Sequence, residues 1–150
     1  MAVALLALLL CVTAGCKAAD ERAYSIDTGS MSLDEGLQLY GLAMPDCPVQ
    51  DLRYALVGMW GGHDLYLRFS ATPACMGSFL DANDMIDIGE ATSINPFPHG
   101  HPKLGDVGWS FRDDAGYRMY HPREFQGRDV IAVVDPTADP QVASVYGFPV

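Results

Sequence analysis

His99-Gly100-His101, inside NPFPHGHPKLGD, is the one compact pair of imidazoles in this chain. Two histidines at i and i+2 on an extended loop can chelate copper or zinc once a third ligand arrives, for instance His121 or Asp106. Without that ligand the pair binds weakly, and the same residues serve as a polar loop between prolines. The methionines form no Met-x-x-Met cluster and read as core filling. Asp81, Asp84, Asp87 and Glu90 gather in DANDMIDIGE. Counting from Asp81 puts Ile86 where an EF-hand loop needs glycine, so a calcium loop of that type is excluded. The three-residue spacing suits a solvated face, while a carboxylate pair for glycoside hydrolysis depends on convergence in space that spacing does not define. No Gly-x-Ser-x-Gly occurs, and Gly58-Met59-Trp60-Gly61-Gly62 lies in a hairpin rather than between strand and helix, which is not a phosphate loop. These residues assign no reaction and call for no cofactor.

The cysteines carry more. Ala2 to Val12 reads AVALLALLLCV, eleven residues without charge. That is the length of a signal-peptide apolar region and short of the ~18–20 residues a bilayer crossing needs. Thr13-Ala14-Gly15-Cys16 follows, and polarity rises at once with Lys17, Asp20 and Glu21. The Ala14-Gly15-Cys16 ending resembles a bacterial lipobox. The resemblance implies that Cys16 takes a diacylglyceryl group, becomes the new N-terminus and holds the chain to the outer face of the membrane. The competing reading is an ordinary secretory leader cut after Ala18, which discards Cys16. Two or more acyl chains make membrane residence durable, at ~0.8 kcal/mol per buried CH₂. Lys17 to Ser30 is polar and without period, so it reads as a tether; fully extended it reaches ~45–50 Å.

Export makes the remaining thiols informative. Cys47 and Cys75 are expected to pair as a disulfide, closing a loop of 29 residues. The entropic model gives that closure roughly 3–4 kcal/mol. The alternatives are a two-cysteine metal site or free thiols; no C-x-x-C occurs, and neither cysteine has a histidine within a few residues.

The formal net charge is −10. That acidity disfavours nucleic acid and anionic lipid as partners, because both are repelled. The length beyond the leader suits one domain. We divide the chain into a signal peptide over 1–15, a lipidated cysteine and tether over 16–30, and a single domain over 31–150.

The elements that must position these residues are legible in part. Ser32-Leu33-Asp34-Glu35 is a capping box, Leu33, Leu37 and Tyr40 share a helical face, and Gly41 is a stop, which predicts a helix over Leu33 to Tyr40. Leu52 to Trp60 and Leu65 to Ser70 form a hairpin around a turn at 61–64, with Leu65, Leu67 and Phe69 on one face. Thr72-Pro73 caps a second helix that turns Cys75, Met76, Phe79 and Leu80 inward. Residues 83–106 read as a long surface excursion, with Trp109 and Phe111 returning to the core. Arg128 to Asp135 and Val142 to Phe148 make a second hairpin. Two hairpins with two short helices predict an α+β, two-layer domain of mainly antiparallel sheet.

The lipobox together with DLRYALVGMWGGHDLYLRFS, TPACMGSFL and DVIAVVDPTADP is similar to small exported lipoproteins of actinomycete type. That resemblance implies location and architecture, not chemistry. The expected function is a membrane-anchored, extracytoplasmic binding module for a protein or small ligand. Tyr54 and Trp60 share strand parity and are the candidate contact residues. The alternative is a secreted metal-binding protein or enzyme that uses the His99/His101 loop.

Overall fold

The computed structural model describes residues 20–59, 61–91, 97, 104–124 and 128–150. Its elements are α1 (Leu33–Tyr40), β1 (Gln50–Met59), β2 (Gly62–Ala71), α2 (Pro73–Ala82), β3 (Met85–Glu90), β4 (Arg118–Pro122), β5 (Arg128–Asp135) and β6 (Gln141–Pro149). The strands make one six-stranded sheet in the order β1-β2-β6-β5-β4-β3, antiparallel throughout. The α+β class, the mainly antiparallel sheet, the two short helices and the disulfide are as the sequence predicts.

Local chemistry explains both helices. In α1 the Ser32 hydroxyl accepts from the Glu35 amide, and the Glu35 carboxylate accepts from the Ser32 amide at 2.7 Å. Gly41 stops the helix in the left-handed conformation, φ 63°, where a side chain would be strained. Its amide donates to Gln38 O, and the Leu42 amide donates to Leu37 O, a Schellman closure. In α2 the Thr72 hydroxyl accepts from the Cys75 amide, and Pro73 fits the first turn because its missing N–H has no helical partner to lose.

Both helices cover one face of the sheet. Leu33, Leu37, Tyr40, Met76 and Phe79 meet Leu56, Leu65, Leu67, Phe69, Val130, Ala132 and Val145 in one core. Phe69 and Phe79 pack edge to face, with centroids 5.0 Å apart. The opposite face is buried as well. Ala55, Val57, Tyr66, Ile131, Val133 and Tyr146 lie under Phe97, Val107, Trp109, Ala115 and Tyr117. The domain therefore has the helix and sheet layers expected, with an irregular loop layer over the sheet's other face. Trp109 is buried as predicted, and Phe111 packs against this second core only partly buried.

Two expectations are corrected. Residues 83–106 are not a surface excursion throughout, since Met85–Glu90 is the edge strand of the sheet, paired to β4. The first hairpin turns earlier than 61–64: Met59 pairs with Gly62, so His63 and Asp64 belong to β2. Gly61 makes the tight reversal possible at φ 97°. The disulfide joins Cys47, before β1, to Cys75 in the first turn of α2, with Cα atoms 5.9 Å apart. Among the described residues no helix is long and apolar enough to cross a membrane.

Candidate functional site

A concavity lies at the end of α1. It is a groove of about 410 Å³ bounded by Gln38 to Leu42, Asn83 and Asp84, Pro122 to Glu124, and Arg128 with Val130. That is within the ~300–1,000 Å³ range of ligand sites. Each wall has a local cause. The Schellman closure leaves the Leu39 carbonyl outside its pattern, and Arg128 Nη1 donates to it at 3.0 Å. A cation at the negative end of a helix is favourable, so Arg128 is both a cap and a groove wall. Asn83 ties the α1–β1 linker to α2: Nδ2 donates to Ala43 O at 2.9 Å and Phe79 O at 2.7 Å, while Oδ1 accepts from the Ala43 amide at 2.7 Å. Asp84 turns the chain into β3 at φ 47°, a region that aspartate tolerates better than most residues. Its carbonyl accepts from the Arg123 amide and its Oδ1 from Arg123 Nε at 3.2 Å.

Two guanidiniums thus face one groove in a chain of net charge −10. Each carries five N–H donors in a planar fork. The side-chain bonds to Asp84 and Leu39 engage one donor of each guanidinium. The remaining donors suit a carboxylate or another anionic oxygen, with Asp84 and Glu124 available to amine or hydroxyl groups. Beside the groove the Tyr40 hydroxyl donates to His63 O. Burial, and then the charge of Asp64, push the Tyr40 phenol above its usual range.

A second polar cluster sits in the aromatic layer. Tyr146 donates to Asp64 Oδ2 at 3.0 Å, and Asp64 is only 8% exposed. Tyr66 and Tyr146 pack with centroids 5.2 Å apart, and Trp109 meets Tyr66 edge-on at 5.8 Å. Burial, then Asp64, raise the Tyr146 phenol far above the ordinary tyrosine range. The pair is enclosed by aromatic rings, so it organises the core rather than presenting a reactive group.

The predicted site residues fall out as follows. Cys16, Trp60, His99 and His101 lie outside the described residues. Both suggested third ligands lie within the described residues. Asp106 is exposed in a turn. His121 has both ring nitrogens engaged, Nε2 with Asp129 Oδ1 at 2.5 Å and Nδ1 with Pro122 O at 2.7 Å. Among the described residues no group of three or more His, Cys, Asp or Glu can hold a metal ion. Of the acidic run, Asp87 is clamped by Arg118 at 2.6 and 3.0 Å, and Asp84 pairs with Arg123. The Arg118 hydrogen bonds hold the Asp87 carboxyl below its usual range.

Tyr54, expected as a contact residue, is buried. It is 3% exposed, and its hydroxyl donates to Asp20 Oδ2 at 3.2 Å. What covers it is the segment read as tether. Tyr24 N donates to Tyr54 O at 2.7 Å, Tyr54 N to Arg22 O at 3.0 Å and Thr28 N to Leu56 O at 3.1 Å. Leu56 N donates to Asp27 Oδ1 at 2.7 Å, and Arg53 lies over the Tyr24 ring at 4.9 Å. Residues 20–28 thus run along the outer edge of β1, bridged in parallel at Ala23 and Tyr54. Trp109 Nε1 also donates to the Tyr24 hydroxyl, which links this strap to the third layer.

The groove arginines were missed by sequence reasoning, because Arg123 just past β4 and Arg128 at the start of β5 look like ordinary surface charges. A comparison with protein-family models, curated proteins and solved structures finds no match.

Proposed function

We propose that this chain is an exported envelope protein, lipid-anchored through Cys16, whose α+β domain is a binding module with its ligand groove at Arg123 and Arg128. The Cys47–Cys75 disulfide carries the reading. Structural disulfides persist in oxidising compartments outside the cytosol and are rare within it. The eleven-residue apolar run and the Ala14-Gly15-Cys16 ending support the anchor. The ligand is a protein segment or small molecule bearing a carboxylate or other anionic oxygen, the group that two guanidinium forks recognise best. Nucleic acid is not expected, because a chain of net charge −10 repels a polyanion outside so small a basic site.

Metabolic labelling with a fatty-acid analogue tests the anchor. Wild-type chain takes up label and Cys16→Ala does not; equal labelling of both refutes it. Crosslinking in intact envelopes tests the groove. Adducts formed by the wild type and lost in Arg123→Ala/Arg128→Ala, with secondary structure unchanged, support it. Adducts that survive the double substitution place the ligand elsewhere.

A further inference from the structure

We infer that the strap over Asp20 to Thr28 is the membrane-facing surface of the domain, and that the β3 edge points away from the bilayer. The inference rests on the lipid-anchored reading, and its occupant is the lipid headgroup layer around the anchor. Were residues 17–30 a free tether, the domain could take any orientation within ~45–50 Å of the membrane. The strap removes most of that freedom. From Asp20 onward the chain is fixed to β1 by backbone bonds at Arg22, Tyr24 and Thr28, by the Asp27 carboxylate and by Arg53. Arg53 donates from Nε to Arg22 O at 3.1 Å and from Nη2 to Ala23 O at 3.2 Å. Only Lys17, Ala18 and Ala19 separate the anchor from this fixed point. Four residue steps span at most ~14 Å, whatever their arrangement.

The strap lies beyond β1, and the sheet then runs through β2, β6, β5 and β4 to β3. Six interstrand spacings of ~4.8 Å place the far edge ~29 Å from the strap. A leash shorter than half that span, attached at one edge, keeps that edge down.

The strap surface carries charges of both signs. Arg22 is clamped to Asp20 at 2.7 Å, and Glu21 is exposed beside them. Charge therefore does not hold it to lipid. The orientation follows from the leash and is independent of salt and of anionic lipid.

Isoleucine methyl groups report on the two edges, Ile26 in the strap and Ile86 and Ile88 in β3. The mature chain, starting at Cys16, is attached to phosphatidylcholine nanodiscs containing some gadolinium-chelating lipid. One sample is lipidated in cells and a second is coupled through Cys16 to a maleimide headgroup. Relaxation enhancement falls with the inverse sixth power of distance, so Ile26 is expected to be enhanced over Ile86 and Ile88 by on the order of tenfold or more. Equal enhancement in the maleimide-coupled sample overturns the inference. A gradient there, with no lipid found on Cys16 from cells, supports the orientation and refutes the anchor alone. A Gly/Ser insert after Ala19 that restores a ~45 Å reach should abolish the gradient; a gradient that survives it overturns the leash as its cause.

Discussion

The packing of α1 on the sheet can be tested by one methyl group. A Cβ on Gly36 would lie 2.6 Å from Leu56 Cδ1, 2.9 Å from Cδ2 and 3.1 Å from Cγ. Leu56 is fully buried and has no solvent into which to swing. Overpacking of this kind costs ~1–3 kcal/mol, and contact with both branch methyls puts Gly36→Ala at the upper end. Against this, glycine-to-alanine in a helix interior gains ~1 kcal/mol of propensity. The net expectation is a loss of ~2 kcal/mol. Gly77 in α2 is the control, because a Cβ there meets no atom within 4 Å. Gly77→Ala should gain ~0.8–1 kcal/mol, so one substitution acts with opposite signs in two helices. Urea unfolding of the oxidised protein, followed by circular dichroism and tryptophan fluorescence, measures both midpoints at constant slope. Leu56→Val, which withdraws the branch by one carbon, should cost less in the Gly36→Ala background than in wild type. A Gly36→Ala chain as stable as wild type, or additive behaviour of that pair, would refute the close approach of α1 to β1.

Replacing Cys47 and Cys75 by alanine frees a 29-residue loop in the unfolded chain and should lower stability by ~3–4 kcal/mol, read from the urea midpoint. Asp27→Ala removes the acceptor for the Leu56 and Gly29 amides; a loss of ~1–2 kcal/mol is expected, with faster hydrogen exchange at Leu56 while Val133 stays protected. Tyr146→Phe takes a donor from buried Asp64 and should cost ~1.5–3 kcal/mol. The phenols of Tyr40 and Tyr146 have folded pKa values raised above the unfolded value of ~10, so their contribution is complete below that pH and is lost as pH rises beyond it. Absorbance titration should show tyrosines that ionise only with alkaline unfolding. The carboxyls of Asp20 and Asp87 are shifted the opposite way by Arg22 and Arg118, so what they contribute is present above ~pH 4 and lost on acidification.

The elements visible in the sequence are those whose determinants are local. Ser32, Glu35 and Gly41 mark both ends of α1, and Thr72-Pro73 marks the start of α2. The β5–β6 hairpin shows itself through a run of branched residues and a short polar connection. The β3–β4 pair was not legible, because Glu90 and its partner Arg118 are separated by a long Pro- and Gly-containing segment, and MIDIGE has a carboxylate amid its apolar residues. The third layer did leave a trace. Four consecutive buried residues in β1, Tyr54 to Val57, and five in β5, Val130 to Val134, are what a sheet covered on both faces requires. The strap left none, because backbone bonds, Asp20, Asp27 and Arg53 hold it rather than a periodic apolar face. The groove depends on Arg123 and Arg128 meeting the end of α1, a coincidence of three distant segments.

The bridge between Cys47 and Cys75 encloses the whole of β1 and β2 in a covalent ring. A protease that cuts once anywhere inside that ring, for example between Met59 and Gly62, opens the ring but does not divide the molecule. The N-terminal piece keeps α1 and the strap, the C-terminal piece keeps the other four strands, and the sulfur link holds both at their native separation. A nicked domain of this construction stays whole until it is reduced.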